Sequence, residues 1–145
     1  MDKIYAEEKR FEKTDFTENG LPTGEYEKCT FLNCNFSGTD LSNTIFTDCS
    51  FVDCNLSMAK LTKTAFRNVS FKNCKQTGMH FENCNEFLFS VSFENCNLNL
   101  SSFYKLKLKK TKFTSFFIAI EFLANRRTAV RMQKRFFQII NTYSH

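Results

Sequence analysis

The sequence is poor in the residues that make tight turns. It contains one Pro and four Gly among 145 residues. Ordinary β-sandwiches and barrels need many Gly- and Pro-based turns, so this scarcity argues against both. No apolar run is long enough to span a membrane, and the first ten residues carry charges throughout instead of the apolar core of a signal peptide. We therefore expect a single cytoplasmic domain.

A five-residue rule runs through most of the chain: a small residue, one residue of any kind, then a large apolar residue. Cys29/Phe31 and Cys34/Phe36 state it twice in succession. It continues as Thr39/Leu41, Thr44/Phe46, Cys49/Phe51, Cys54/Leu56, Ala59/Leu61, Thr64/Phe66 and Val69/Phe71. A helix repeats its buried face every 3.6 residues and a strand every two. A sustained period of five therefore predicts a repeat architecture.

Residues of the same kind also recur at intervals of twenty. One column of large residues is Phe11, Phe31, Phe51, Phe71 and, after a two-residue slip within 84–88, Phe93 and Phe113. The other columns are Phe16, Phe36, Leu56, Gln76, Leu98; Leu21, Leu41, Leu61, Phe81, Phe103; and Tyr26, Phe46, Phe66, Leu88, Leu108. This interval predicts four sides per turn, with successive turns about 4.8 Å apart.

Over residues 11–118 the chain resembles the pentapeptide-repeat proteins. The Asp or Asn that often precedes the large residue in that family is present at Asp15, Asn35, Asp40, Asn55 and Asn97. The resemblance implies an all-β fold, a right-handed quadrilateral β-helix with the large and small residues pointing inward. Each turn would contact only its neighbours, as in other solenoids.

The seven cysteines all take the small-residue position of the repeat, or the place where it would fall. Without an export signal, a disulfide framework is not favoured. Zinc requires four converging ligands, usually in paired short spacings, whereas intervals of five and twenty place thiols along a straight wall. We interpret the cysteines as small buried residues and expect no metal and no cofactor.

Catalysis is not expected. The chain has two histidines, of which His80 falls at an outward position beside Phe81 and His145 is the last residue. A catalytic site also needs a concave surface with converging polar groups, and a prism filled by Phe and Leu offers none. We predict that the protein is not an enzyme.

Two irregularities interrupt the array. Gln76 is the one polar residue in a large position, and we expect a local irregularity there, bonded to neighbouring backbone; the alternative is a recognition bulge. The slip includes Asn85, Glu86 and Phe87, which we expect to bulge outward. Such loops carry partner recognition in some members of the resembled family.

Charge is distributed unevenly along the chain. Residues 1–58 have a net charge of −6, residues 59–118 of +7 and residues 119–145 of +4. The basic side chains of the last turns are Lys105, Lys107, Lys109, Lys110 and Lys112. They could contact nucleic acid or an acidic protein, but the aromatic residues that would stack on bases are predicted to be buried. A solvated face is favoured.

The ends are predicted to differ from the repeat. Residues 1–10 are expected to form a lead-in, either a short helix or a cap. Residues 119–145 are expected to form a basic amphipathic helix with Leu123, Val130 and Phe137 on one face. This helix would cover the last turn or form a homodimer through the C-terminal end. The alternative is that a truncated or frame-altered gene produced it.

Two classes of function remain open. The favoured one is a non-enzymatic protein-interaction scaffold with an unknown protein partner, because the fold alone does not specify one. The resemblance implies an alternative, binding to DNA gyrase or topoisomerase IV by mimicry of duplex DNA, as in quinolone-resistance members of the family. Only the acidic first half suits such mimicry. Nucleic-acid binding through the basic half is a further alternative.

Overall fold

The computed structural model describes residues 3–108 and 110–114. Its strands are β1 (Ile4–Glu7), β2 (Arg10–Glu12), β3 (Gly24–Glu27), β4 (Thr30–Leu32), β5 (Ile45–Thr47), β6 (Ser50–Val52), β7 (Ala65–Arg67), β8 (Val69–Lys72), β9 (Val91–Glu94) and β10 (Thr111–Thr114). One 3₁₀ turn, Phe81–Asn83, lies between β8 and β9.

The strands form two parallel sheets that are two walls of a β-helix. One sheet has the order β1-β3-β5-β7 and the other β2-β4-β6-β8-β9-β10. Isolated parallel bridges such as Asn35↔Asn55 and Asp40↔Lys60 connect the turns on the other two walls. Because the second sheet gains one strand per turn, the described chain makes about six turns. The prediction of an all-β, four-sided β-helix is confirmed.

The interior is a set of stacked side chains. Phe11, Phe31, Phe51, Phe71, Phe93 and Phe113 form one continuous pile, with ring centroids 4.7–5.4 Å apart from one ring to the next. Each ring also meets rings of adjacent walls edge-on, as Phe31 does with Phe36. Both arrangements suit the charge distribution of aromatic rings. The five-residue rule therefore specifies a close-packed aromatic core.

The backbone conformation at the corners of the β-helix favours Asn and Asp, which accounts for many of the Asn residues in the sequence. Two residues after the inward large residue, the backbone repeatedly adopts a positive φ, as at Asn33 (53°), Asp48 (53°) and Asn73 (54°). Asn and Asp tolerate this left-handed conformation better than most residues. Their side chains then stack along the corners: the Asn68 amide donates to Asp48 at 2.7 Å, and Asn95 to Asn73 at 2.8 Å.

Regular strand pairing begins at Ile4, before the first residues in which the five-residue repeat is visible. The segment 1–10, predicted as a lead-in, contains β1, which pairs in parallel with β3 from Ile4↔Gly24 to Glu7↔Glu27. Ala6 takes the inward position below Tyr26 and is buried. The predicted helix of residues 119–145 lies outside the described residues.

Candidate interaction surface

One wall of the β-helix differs from the others in charge and in exposed apolar area. We call it the gradient wall: the outward side of β1, β3, β5 and β7, continued by Glu86–Ser90 and by Lys107 and Lys110. Register stacks Glu7, Glu27, Thr47 and Arg67 in one outward row, and Tyr5, Glu25 and Ile45 in another. From β1 to β7 the outward side chains change from acidic through neutral to basic, and the continuation presents Lys107 and Lys110 with one carboxylate, Glu86.

The first two turns of the gradient wall are acidic. Glu7, Glu25 and Glu27 project outward there, and Tyr5 donates a hydrogen bond from its hydroxyl to Glu27 Oε2 at 2.7 Å. This bond raises the pKa of Tyr5 to about 12. Within the described residues, the ion pairs are Arg10–Glu12 and His80–Glu82, so no salt bridge neutralises these stacked carboxylates.

The fifth turn of the gradient wall contains an insertion. In the regular turns a backbone N–H donates to the carbonyl 21 residues earlier, as Ala65 does to Thr44 and Asn85 to Thr64. Ser90 instead donates to Phe66, 24 residues earlier. Glu86, Phe87 and Leu88 are therefore additional residues between two stacked positions.

The inward position of this turn is taken by Phe89, which is 7% exposed, whereas Leu88 is 52% exposed. The assignment of Leu88 to the fourth inward column was therefore wrong. The chain inserts three residues before Phe89 and is one residue shorter at the following corner, where Val69 pairs with Val91. The sequence shows only the net slip of two, so it cannot locate the inward residue.

The insertion projects Phe87 into solvent with 66% of its surface exposed. The Phe87 N–H donates to Asn85 Oδ1 at 2.9 Å, and Leu88 adopts a φ of 58°. The Arg67 guanidinium lies 5.7 Å from the centroid of the Phe87 ring, on its face. Local bonds and this cation–π contact thus hold the bulge in a defined shape.

A groove of about 350 Å³ separates the bulge from the last described turn. Its lining combines apolar and cationic side chains: Glu86, Phe87, Leu88, Phe89, Leu106, Lys107 and Lys110. A second groove of about 410 Å³ shares Lys110 and also includes Lys112. Two grooves therefore meet at Lys110.

The structure brings together most of the residues that the sequence indicated as partner-binding candidates. Asn85, Glu86 and Phe87 lie in the bulge, and Lys107 and Lys110 line the groove beside it. Lys112 is exposed on β10 and lines the second groove. Lys105 lies one corner away with its Nζ 5.2 Å from the Tyr104 ring centroid, and Lys109 lies outside the described residues. The sequence analysis missed Leu88, Arg67 and the acidic end of the wall, although the outward positions of Glu25 and Glu27 follow from the five-residue rule.

Gln76 stays in register with its neighbours. Bridges connect Lys75 to the turns on either side, and the Gln76 carbonyl accepts a hydrogen bond from Ser101 Oγ at 2.6 Å. Its side chain is fully buried, and within the described residues neither Oε1 nor Nε2 has a hydrogen-bond partner. Neither the expected irregularity nor a recognition bulge occurs at this position.

The cysteines form no disulfide and all are buried. In the column of Cys34, Cys54, Cys74 and Cys96, each thiol approaches a backbone carbonyl of the preceding turn at 3.3–3.5 Å. Burial raises the pKa of Cys49 to about 12 and also raises the pKa of Cys84. Over the described residues, no group of three or more His, Cys, Asp or Glu side chains could hold a metal ion.

No helix in the described part of the chain is long and apolar enough to cross a membrane. His80 is exposed, as expected for its outward position, with its Nδ1 3.1 Å from Glu82 Oε1.

Comparison with known proteins agrees with this architecture. Residues 24–86 match the family model described as a pentapeptide repeat region. No curated protein shows significant sequence similarity to the chain.

Several solved structures are similar to it. Full-length QnrB1, a plasmid-mediated fluoroquinolone resistance protein, is 16% identical and aligns over 90% of this chain and 99% of its own, with a TM-score of 0.42. Rfr23, a pentapeptide repeat protein from the cyanobacterium Cyanothece 51142, is 18% identical over 82% of this chain and 86% of its own, with a TM-score of 0.35.

HetL, a pentapeptide repeat protein involved in heterocyst differentiation regulation in Nostoc sp. strain PCC 7120, is 14% identical over 79% of this chain and 58% of its own, with a TM-score of 0.37. Residues 24–86, which match the pentapeptide repeat region, lie within the four-sided β-helix, so this part of the chain is a pentapeptide-repeat region in sequence and in fold.

Proposed function

We propose that this chain is a non-enzymatic protein-interaction scaffold, and that its partner contacts the bulge Glu86–Leu88 together with Lys107 and Lys110. The observation that carries the proposal is the exposure of Phe87 and Leu88 at an insertion in an otherwise regular solenoid. Large apolar side chains held in solvent on a rigid frame are typical of protein-binding surfaces.

Local contacts of the bulge support this role. The Asn85–Phe87 hydrogen bond and the Arg67–Phe87 contact both favour the conformation in which Phe87 is exposed. Binding to an ordered loop costs less conformational entropy than binding to a flexible one. The lysines beside the groove favour a partner that presents acidic residues around an apolar anchor.

The arrangement of polar groups in the described residues gives no support to catalysis. All seven cysteine thiols are buried, which keeps them from contact with a substrate, and burial raises the pKa of Cys49 and of Cys84. The described histidine, His80, pairs with Glu82 on an exposed surface away from the bulge. A scaffold role needs only shape, exposed apolar area and charge.

Binding to DNA gyrase or topoisomerase IV is the alternative. DNA mimicry requires an extended acidic surface, and on the gradient wall the acidic side chains are Glu7, Glu25 and Glu27 in the first two turns and the single Glu86 in the bulge. Nucleic-acid binding through the lysines is a separate alternative, whose affinity would fall steeply with salt.

The test is a pull-down from host lysate with tagged full-length protein, after nuclease treatment and at low and high salt. We expect a defined protein to be retained after nuclease, and Phe87→Ala to lose it. Met58→Ala is the matched control, because Met58 is 61% exposed and lies on a different wall. Equal retention by both variants would contradict the assignment of the bulge. A gyrase subunit would establish the first alternative, and nucleic acid released by salt the second.

A further inference from the structure

The charges of the gradient wall are complementary to those of a second copy of the same wall that runs in the opposite direction. Its first two turns present Glu7, Glu25 and Glu27. Its last described turns present three cations, Arg67, Lys107 and Lys110, against one carboxylate, Glu86. We call these the acidic end and the basic end. The middle of the wall, at Ile45 and Thr47 on β5, is uncharged. Two copies placed antiparallel along this wall would set each acidic end against a basic end.

Exposed apolar residues follow the same pattern. Ile4 and Tyr5 are 39% and 57% exposed beside the acidic end, and Phe87 and Leu88 are exposed beside the basic end. In the described part of the chain, these four are among seven exposed large apolar side chains, and the other three lie away from this wall. An antiparallel pair would therefore bring apolar side chains of one copy to apolar side chains of the other at both ends.

Repulsion between carboxylates of the acidic end favours this arrangement energetically. Glu7 and Glu27 are directly stacked in register, and like charges at such positions destabilise a sheet. No salt bridge within the described residues offsets them. The opposite charges of a second copy would relieve the repulsion at both ends of the wall.

We propose that the chain forms an antiparallel homodimer along the gradient wall, in which the acidic end of each copy contacts the basic end of the other. A two-fold axis near β5 and β7 relates the copies, so the contact is closed and stops at two chains. At about 4.8 Å per turn, the contact spans roughly 24 Å from the first to the sixth turn. An interface of this modest length is expected to be weak and sensitive to salt.

This inference differs from the predicted dimer through the C-terminal end, and it does not depend on the proposed function. The two are connected because the dimer covers Phe87. A protein partner at the bulge would therefore compete with the second copy, and an acidic surface resembling the chain's own acidic end would compete best.

Sedimentation velocity on the purified full-length protein tests the proposal. We expect a monomer–dimer equilibrium whose dissociation constant rises at least about tenfold between roughly 50 mM and 500 mM NaCl. The variants Glu25→Lys/Glu27→Lys and Lys107→Glu/Lys110→Glu should each be monomeric, because each makes both ends alike. Mixed in equal amounts, they should form a heterodimer, since one copy then has two basic ends and the other two acidic ends.

A monomer at every salt concentration, or a mixture of the two variants that stays monomeric while both remain folded by circular dichroism, would overturn the proposal. Assemblies that grow beyond two chains would also overturn it, because they indicate an open head-to-tail contact.

A cross-linking experiment keeps the proposal testable if the charge-reversal variants do not fold. Thr47 lies near the two-fold axis, so a cysteine there should approach its own copy in the partner. Thr47→Cys should form a covalent dimer of twice the 17.0 kDa chain mass on mild oxidation. Thr62→Cys, exposed on another wall, is the control. Equal cross-linking of the two variants, or none at Thr47→Cys, would contradict the antiparallel arrangement.

Discussion

Phe31 lies directly on Phe51, with ring centroids 4.7 Å apart and ring planes inclined by 10°. The same pair of positions is adjacent on β4 and β6, where Phe31↔Phe51 is a register pair. The distance between neighbouring parallel strands is thus close to a favourable distance between stacked aromatic rings. A Phe every twenty residues is therefore a direct consequence of the turn-to-turn hydrogen bonding.

Replacing Phe51 tests how much this core contributes to stability. Phe51→Ala should lower the free energy of unfolding by about 3–5 kcal/mol, because it removes a fully buried ring from the middle of the pile. Phe51→Leu should cost less, since Leu56 already occupies the equivalent position on the next wall. Urea unfolding followed by circular dichroism measures both. Val52→Ala, at an outward position of β6, is the control and should change little; a comparable loss there would contradict the account.

Replacing Gln76 should stabilise the protein. Gln76→Leu places an apolar side chain between Leu56 and Leu98 and removes a buried amide without a partner in the described structure. The gain should be about 1–3 kcal/mol, the usual cost of an unsatisfied buried polar group. Thermal unfolding compares it with Lys75→Leu, which alters the adjacent outward position. A loss of stability in Gln76→Leu would contradict this prediction.

Gly24 is required for the pairing of the first strand. A Cβ at this position would clash with the backbone carbonyl of Ile4. Gly24→Ala should therefore detach β1 and increase hydrogen exchange of the amides in residues 4–7, with little change beyond β3. Gly38→Ala is a useful comparison, because its cost comes from a φ of 66° and not from contact with neighbouring atoms. Unchanged exchange in β1 of Gly24→Ala would refute this role.

The buried thiols make a prediction about reactivity and pH. At pH 8 the folded protein should not react with a soluble disulfide reagent, whereas the unfolded protein should expose all seven thiols. Burial holds the pKa of Cys49 at about 12, above its unfolded value. The neutral thiol therefore stabilises the folded state fully below about pH 9, and this contribution is lost as the pH rises toward 12.

Tyr26 acts in the same direction, because burial raises its pKa to about 12 and its hydroxyl donates to the Pro22 carbonyl at 2.6 Å. The melting temperature should fall between pH 9 and 12. A constant melting temperature over this range would contradict the pKa shifts.

The sequence predicts the β-helix because its inward positions obey one rule in one register. Phe31, Phe51 and Phe71 could be assigned to a single stack without the structure, since a deviation of one residue would have broken the column. The outward direction of Glu25 and Glu27 follows from the same register.

Other features depend on information that the period does not contain. A net slip of two residues is equally compatible with several combinations of insertion and deletion, and only the hydrogen bond from Ser90 to Phe66 assigns Phe89 to the interior. The first strand lacks the large inward residue that marks later turns, since Ala6 stands in its place. The strand is defined by its pairing with β3, and no local sequence pattern predicts this pairing.

Photocross-linking at Phe87 is the most direct test that the gradient wall is an interaction surface. A photoreactive phenylalanine analogue at position 87, and separately at position 58 as the control, is activated in host cells producing the full-length protein. We expect a defined cross-linked product from position 87, either a second copy of the chain or another protein, and none from position 58. Cross-linking from position 58 with none from position 87 would contradict the assignment of the surface.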